Sequence, residues 1–420
     1  MRVLPSASLD IAEFVRPGDH IVVGQATGEP QTLTETLVAQ RARVGPVELF
    51  LGSCFSRSFA PEHADHIRFS GFGAVGTVRK LAAGGALDVV PCHVSQVARY
   101  IEAGLIGCDV AFVQLSPAGP DGRHSFGVIN DYVQTAIACA RIVVAEINDQ
   151  VPYSFGDVGL PPERIDFAVY TSRPVVELPS VAIGAREQAI AGHVAPFVED
   201  GSTLQVGVGA IPDAILHAIA DRRDLGVHSG SIGDGLVALI ERGIVTNARK
   251  PVDPGVSITG ALMGTRRLYD FAHRNPAIAL RASNYTHEAT VLARIPNLVA
   301  INSAVEVDLT GQVNAEVAGG AYIGATGGQG DFQRAAHRAP RGHAIVALPS
   351  MAGASSRIVS HVSGPVTVAR HDADIVVTEY GSAQLKGCPL AERARRMIAI
   401  AHPDRRDALA TDAKALGLLP

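Results

Sequence analysis

The chain alternates short, unbroken apolar runs with longer amphipathic stretches. The runs "ALDVVPCHV", "DVAFVQLS", "ARIVVAEIN", "NLVAINSAVEV", "HAIVALPS" and "ADIVVTEYG" lack the polar–apolar alternation of a half-solvated strand. They read as strands covered on both faces, as parallel sheets require. Stretches such as "LVALIERG" and "LAERARRMIAIA" carry the spacing of helices with one apolar face. Strand and helix in alternation predict open, mostly parallel sheets with helices on both sides.

The pattern also repeats. "FVRPGDHIVVGQATGEPQTLTETLVAQR" starts at Phe14, and "FVEDGSTLQVGVGAIPDAILHAIADRR" starts 183 residues later at Phe197. Each reads as an apolar pair, a glycine, a strand, a Gly-x-small turn, a proline and an amphipathic helix. "VELFLGS" follows the first copy and "LGVHSGS" the second. A period this long excludes a solenoid and points to two related α/β domains. We place them at 1–180 and 181–420, with the connector near "VVELPSVAIGAREQAIAGHV".

Composition narrows the class. Of the 420 residues, 47% are hydrophobic and 18% charged, which supports large cores and argues against disorder. The formal charge of -5 gives no case for nucleic acid or an anionic membrane as partner. No apolar run approaches the roughly 18 residues of a membrane span, and the first residues lack the core of a secretory signal. The five cysteines, Cys54, Cys92, Cys108, Cys139 and Cys388, are scattered without CxxC spacing. A disulfide framework and a zinc site are therefore not expected, and a reduced, cytoplasmic protein is.

Candidate chemistry gathers at strand ends. "VGVGAIPDA" (Gly207, Gly209, Pro212) and "GATGGQGDF" (Gly324, Gly327, Gly328, Gly330) are glycine-rich loops. Such loops either bring backbone N–H groups against an anion or simply turn tightly. Neither matches a P-loop, and "GVGAIP" is not a complete dinucleotide fingerprint. "PEHADH" groups Glu62, His63, Asp65 and His66, which read as a polar surface more readily than as metal ligands. Cys92 and His93 are adjacent, so on a strand they face opposite sides and make a poor nucleophile–base pair. Glu146 and Glu379 each end an apolar strand, and their repetition suggests acceptors for a neighbouring loop's N–H groups.

Taken together, "LQVGVGAIPDAIL", "LGVHSGSIGDGLVALIERG", "VTNARK", "INSAVEVDLTGQVNAE", "GATGGQGDF", "SSRIV", "VVTEYGSAQLKG" and "IAHPD" resemble the acetyl-CoA hydrolase/transferase family, which includes 4-hydroxybutyrate and itaconate CoA-transferases. The resemblance runs from about Pro17 to Asp407. It implies two open α/β domains of the class I CoA-transferase type, arisen by duplication, with the active site in the cleft between them. It also implies a cytoplasmic homodimer acting on small acyl-CoA and carboxylate substrates. Coenzyme A would serve as substrate and covalent intermediate, with no metal and no nucleotide cofactor. The implied reaction passes through a glutamyl anhydride and a glutamyl-CoA thioester.

One position departs from the pattern. Many relatives carry His-Thr-Glu-Met where this chain has His228-Ser229-Gly230-Ser231, so Gly230 stands at the nucleophile position. Glu62 is the favoured replacement, because it follows "VELFLGS", the repeat counterpart of "LGVHSGS". Two alternatives remain open: hydrolysis with Glu62 or His228 activating water, or a silent CoA-binding protein. From "GQATGEP", Gln25 and Ala26 are expected to give an amide and a backbone N–H to the acyl oxygen. Gly207, Gly209, Gly230, Gly327 and Gly328 are expected around the CoA. Among Arg249, Lys250, Arg266, Arg267 and Arg357, the favoured partners for its anionic groups are Lys250 and Arg357.

Overall fold

A computed structural model describes residues 1–420. The chain forms two compact units. The first comprises 1–179, 258–288 and 322–327, and the second 180–257, 289–321 and 328–420.

The first unit is built on an eight-stranded sheet. Its strands are β1 (Arg2–Leu4), β2 (His20–Val23), β3 (Val47–Leu51), β4 (Ile67–Gly71), β5 (Leu87–Val89), β6 (Val110–Leu115), β7 (Ile142–Asn148) and β9 (Phe167–Thr171). They lie in the order β1-β9-β7-β6-β2-β3-β4-β5, every neighbouring pair parallel. Helices α1 (Gln31–Val44), α2 (Val78–Ala83), α3 (Val94–Glu102) and α4 (Val133–Cys139) make the crossovers. From β2 the chain winds outward through β3 and β4 to β5, then returns to lay β6 on the other side of β2. The gap between β2 and β6 is thus a topological switch point. Burial follows the apolar pattern: β6 is buried at every residue, and Leu33 and Leu37 of α1 are fully buried against the sheet with Phe14, Leu49 and Phe112. Strands β12 (Ser257–Leu262, from Ile258), β13 (Ile278–Leu280) and β8 (Phe155–Gly156) also belong to this unit, with β13 and β8 paired in parallel.

The second unit repeats the plan. Strands β10 (Thr203–Val206), β11 (Gly226–Ile232) and β14 (Leu298–Asn302) are followed by His343–Ala347, Ile375–Thr378 and Gly381–Gln384. Strand β10 pairs in parallel with β11 on one side and β14 on the other, and His343–Ala347 and Ile375–Thr378 extend the parallel set. Gly381–Gln384 closes that edge as an antiparallel hairpin. Again the chain reverses direction at the strand that opens the repeat, here between β10 and β14. Helices α5 (Ala185–Val194), α6 (Ala210–Ala218) and α7 (Asp234–Glu241) belong to this unit. The repeat read from the sequence thus superposes β2 on β10. No helix is long and apolar enough to cross a membrane.

Candidate functional site

Open parallel sheets take their ligands beyond the carboxyl ends of the strands, at the switch point, because the loops there diverge. In the first unit that place is occupied by Gln25. It leaves the end of β2, where Gly24 still donates to Phe112 O at 2.8 Å. Its amide is held at both ends. Oε1 accepts from Ser53 N at 2.9 Å and lies 3.3 Å from Ser53 Oγ, and Nε2 donates to Asp131 Oδ2. Gly52 makes room for this, since a Cβ there would meet Gln25 Oε1 at 1.9 Å. A primary amide has two donors, so one Nε2–H of Gln25 is left for a ligand. Ala26 is a correction: its φ of 55° turns the chain, and its N–H is committed to Ser53 O at 2.6 Å. The tight turn that brings Gln25 into place uses the donor expected for the acyl oxygen.

Sequence reasoning missed Asp131. It sits in the loop after β6 with a φ of 39°, and its Oδ1 is buried without a partner. Burial raises its carboxyl to about 6, against the opposing effect of Ser283 and Gln25. The next residue, Tyr132, is fully buried and donates to Val23 O at 2.9 Å, tying this loop to the end of β2. A second buried carboxylate, Glu29, accepts from Ser56 Oγ at 2.7 Å and Thr34 Oγ1 at 3.2 Å, while its Oε2 has no partner and burial raises its pKa.

Glu62 is also corrected. It is exposed, on a short 3-10 helix (Pro61–Asp65) that feeds β4. Just beyond it, His66 O accepts from Val47 N, the first residue of β3. A parallel crossover must return the chain to the starting end of the sheet before the next strand begins. Residues just before β4 therefore lie a strand length, about 16 Å, from those just after β3. Gln25 and Glu62 are at opposite ends of the same sheet. The rest of "PEHADH" serves the surface: Asp65 takes two bonds from Arg41, at 2.7 and 3.1 Å, and His63 Nδ1 accepts from Ala60 N at 3.1 Å.

In the second unit the switch point holds a cavity of about 340 Å³. Gly207, Gly209, Asn302, Glu187 and Arg357 line it among apolar walls that include Ile211, Pro212, Ile301 and Pro349. The structure thus brings together three residues expected at the CoA site: Gly207, Gly209 and Arg357. A Cβ at either glycine would meet nothing within 4 Å, and Gly209 has a φ of 122° that few other residues adopt. No side chain caps α6, so its first N–H groups are free to meet an anion. Arg357 is half-buried and its Nε has no partner, while Nη1 lies 3.5 Å from Ala304 O. Burial and nearby Arg186 lower its pKa against the pull of Glu379. Burial would raise the Glu187 carboxyl, but hydrogen bonds, including those from Arg186 and Gly184 N, hold it below its ordinary value.

Gly230 lies within β11, where Ser229 Oγ bonds to Ser231 O at 2.7 Å and Val206 O at 3.2 Å. Lys250 is a third correction. It is buried, with Nζ donating to Val227 O at 2.8 Å and Val256 O at 2.5 Å. Burial lowers its pKa to about 8 despite Asp253. Gly226 admits its stem, since a Cβ there would lie 2.6 Å from Lys250 Cγ. Two of the three donors of this ammonium are spent on backbone inside the protein, one of them bracing β11. Gly327 turns with a φ of 56° and its O accepts from Val94 N at 3.0 Å, and Gly328 begins the helix Gln329–Arg338 of the second unit. Glu146 and Glu379 both accept from a backbone N–H and its own hydroxyl, those of Thr32 and Ser350, as the strand-end reading expected.

Comparison with known proteins gives this geometry a family. Residues 4–178 match the acetyl-CoA hydrolase/transferase N-terminal domain, and 264–413 its C-terminal domain. The 4-hydroxybutyrate coenzyme A transferase of Clostridium kluyveri is 38% identical over 94% of this chain and 94% of its own length. Among solved structures, RipA from Yersinia pestis shares 32% identity over 100% of this chain and 98% of that one, with a TM-score of 0.94. A 4-hydroxybutyrate CoA-transferase from Porphyromonas gingivalis shares 32% over 99% and 98%, with a TM-score of 0.85. The chain belongs to the acetyl-CoA hydrolase/transferase family.

Proposed function

We propose that the protein transfers coenzyme A between a small acyl-CoA and a carboxylic acid, with 4-hydroxybutyryl and itaconyl groups as the first acyl chains to test. The observation that carries this reading is the second unit's recess, where Arg357 and the uncapped start of α6 meet among apolar walls. That combination suits a CoA thioester, which joins anionic phosphates to an apolar arm. In the first unit, the free Nε2–H of Gln25 serves as donor to the acyl oxygen, whose charge grows as the carbonyl is attacked.

In the covalent route an enzyme carboxylate oxygen attacks the thioester carbonyl. The C–S bond breaks, CoA leaves as thiolate, and a mixed anhydride remains. The thiolate then attacks the enzyme-side carbonyl, releasing the acid and leaving an enzyme-CoA thioester, which the acceptor acid resolves by the reverse steps. Glycine at 230 supports a second reading, hydrolysis, in which water replaces the acceptor acid. Incubation with labelled acyl-CoA, with and without an acceptor acid, separates the two. Label exchange that requires the acceptor supports transfer. Free CoA formed without it supports hydrolysis, and no turnover at all overturns both. Borohydride reduction of the enzyme-CoA thioester followed by peptide mapping locates the carboxylate. We expect it at the carboxyl ends of the strands, and an adduct on Glu62 would overturn that assignment.

A further inference from the structure

We propose that Asp131 is a positioning residue for the acyl site, its carboxylate fixing the Gln25 amide so that the remaining Nε2–H is held ready for the acyl oxygen. The inference rests on the reading of Gln25 as that donor. It stands on four features of the first unit. Gln25 and Asp131 follow β2 and β6, the two strands that border the switch point. The amide has no freedom to turn, because Ser53 N and Asp131 Oδ2 hold its two ends. Asp131 keeps a backbone φ of 39°, a conformation that costs free energy in a non-glycine residue and persists where its surroundings impose it. Its Oδ1 is buried and unpaired, so the carboxylate is more costly to keep here than a neutral side chain would be.

The physical role follows from charge. A hydrogen bond to a carboxylate is shorter and stronger than one between neutral groups. It orients the amide plane and leaves no reorganisation to be made when charge develops on the acyl oxygen.

The arrangement is sensitive to pH, because a protonated Asp131 is a weaker acceptor for Gln25. Other titratable groups lie buried in the same unit, among them Glu29, whose carboxyl burial also raises. Tyr132 and Cys54 are both pushed well above their ordinary values by burial. Asp157 bonds Asn130 Nδ2 and Ala282 N on the adjoining segments and pairs with Arg281 at 2.8 Å. The uncharged neighbour is Ser283, whose N–H donates to Asp131 O at 2.9 Å.

The test compares Gln25→Ala, Asp131→Ala and Asp131→Asn in the full chain, with steady-state kinetics across pH 5–8 and thermal melts for each. We expect kcat to fall by roughly 10²-fold in Gln25→Ala, the order seen when one oxyanion donor is removed. In Asp131→Ala it should fall by about 10-fold or more with KM little changed, as for an interaction made in the transition state. Asp131→Asn keeps an uncharged acceptor, so it should recover part of kcat and lose the acid limb near pH 6. Gln25→Ala at wild-type activity would sink the reading of Gln25 itself. A large loss in Gln25→Ala beside wild-type kcat in Asp131→Ala would sink the Asp131 proposal alone. So would an unchanged acid limb in Asp131→Asn, a variant whose fold the melts can verify.

Discussion

The two switch points are built on one plan and finished in opposite ways. In the first unit, Gly24, Gln25 and Ala26 leave β2, and the side chains around them hold one another in place: Gln25 with Ser53 and Asp131, Glu29 with Ser56 and Thr34. In the second, Gly207, Val208 and Gly209 leave β10 at the same places in the repeat, and the space stays open beside an unpaired guanidinium nitrogen. Topology decides where a ligand can go, and it decides this twice. The residues that leave the central strand differ between the copies, and with their neighbours they make a rigid polar clamp in one and a recess in the other. Backbone close approach is used in the first copy to seat a side chain (Gly52 beneath Gln25) and in the second to leave room.

The sharpest way to break the comparison is to remove the space that seats the clamp. Gly52→Ala puts a methyl into Gln25 Oε1, and we expect a loss of about 2–4 kcal/mol in chemical denaturation, as for overpacking that also breaks a buried hydrogen bond. Opening the recess further should act on binding instead. Arg357→Ala should raise the KM for acyl-CoA by roughly 10–100-fold, and Arg357→Lys should not restore it, because an ammonium cannot reproduce a fixed fork of N–H donors.

A smaller effect sets stability against activity. Asp131 titrates near 6 in the folded protein against an ordinary 3.8. The native state therefore binds the proton more tightly, and stability contributed by this group declines as pH rises from about 4 to 6. Asp131→Asn should gain about 1–2 kcal/mol at pH 7 and little below pH 4, measured by melts across that range. The smallest expected effects are at the residues the structure moved out of the site. Glu62→Gln should leave kcat within about 2-fold, as for an exposed substitution. Lys250→Met should leave the KM for acyl-CoA within a similar range. In the wild type, the folded-state pKa of about 8 against 10.5 means that Lys250 costs stability below about pH 8, a cost that fades as pH rises towards 10.5.

Much of the architecture was legible because it is written locally. Apolar runs marked the buried strands, and the copy beginning at Phe197 aligned β10 with β2. The glycines after β10 and the lone arginine of "SSRIV" pointed to the recess. Strand order was not legible, since parallel pairing joins segments far apart in the chain. Asp131 was missed for that reason: its partner Gln25 is 106 residues away, and only the placement of β6 beside β2 makes them neighbours. Glu62 was misplaced because following a strand in sequence was taken as lying at its far end, whereas the crossover had already carried the chain back. Lys250 shares a basic motif with Arg249, and nothing in "NARK" reveals that Gly226 opens a slot for its stem.

The reciprocal amide pair beneath the recess has a consequence for selectivity. Gln205 Nε2 donates to Asn302 Oδ1 at 3.2 Å and Asn302 Nδ2 to Gln205 Oε1 at 2.9 Å, across the two strands that part there. A floor stitched in this way does not spread for a longer guest. The fit to the apolar arm of CoA should therefore be set by the walls, Ile211 and Ile301, while the floor keeps its depth.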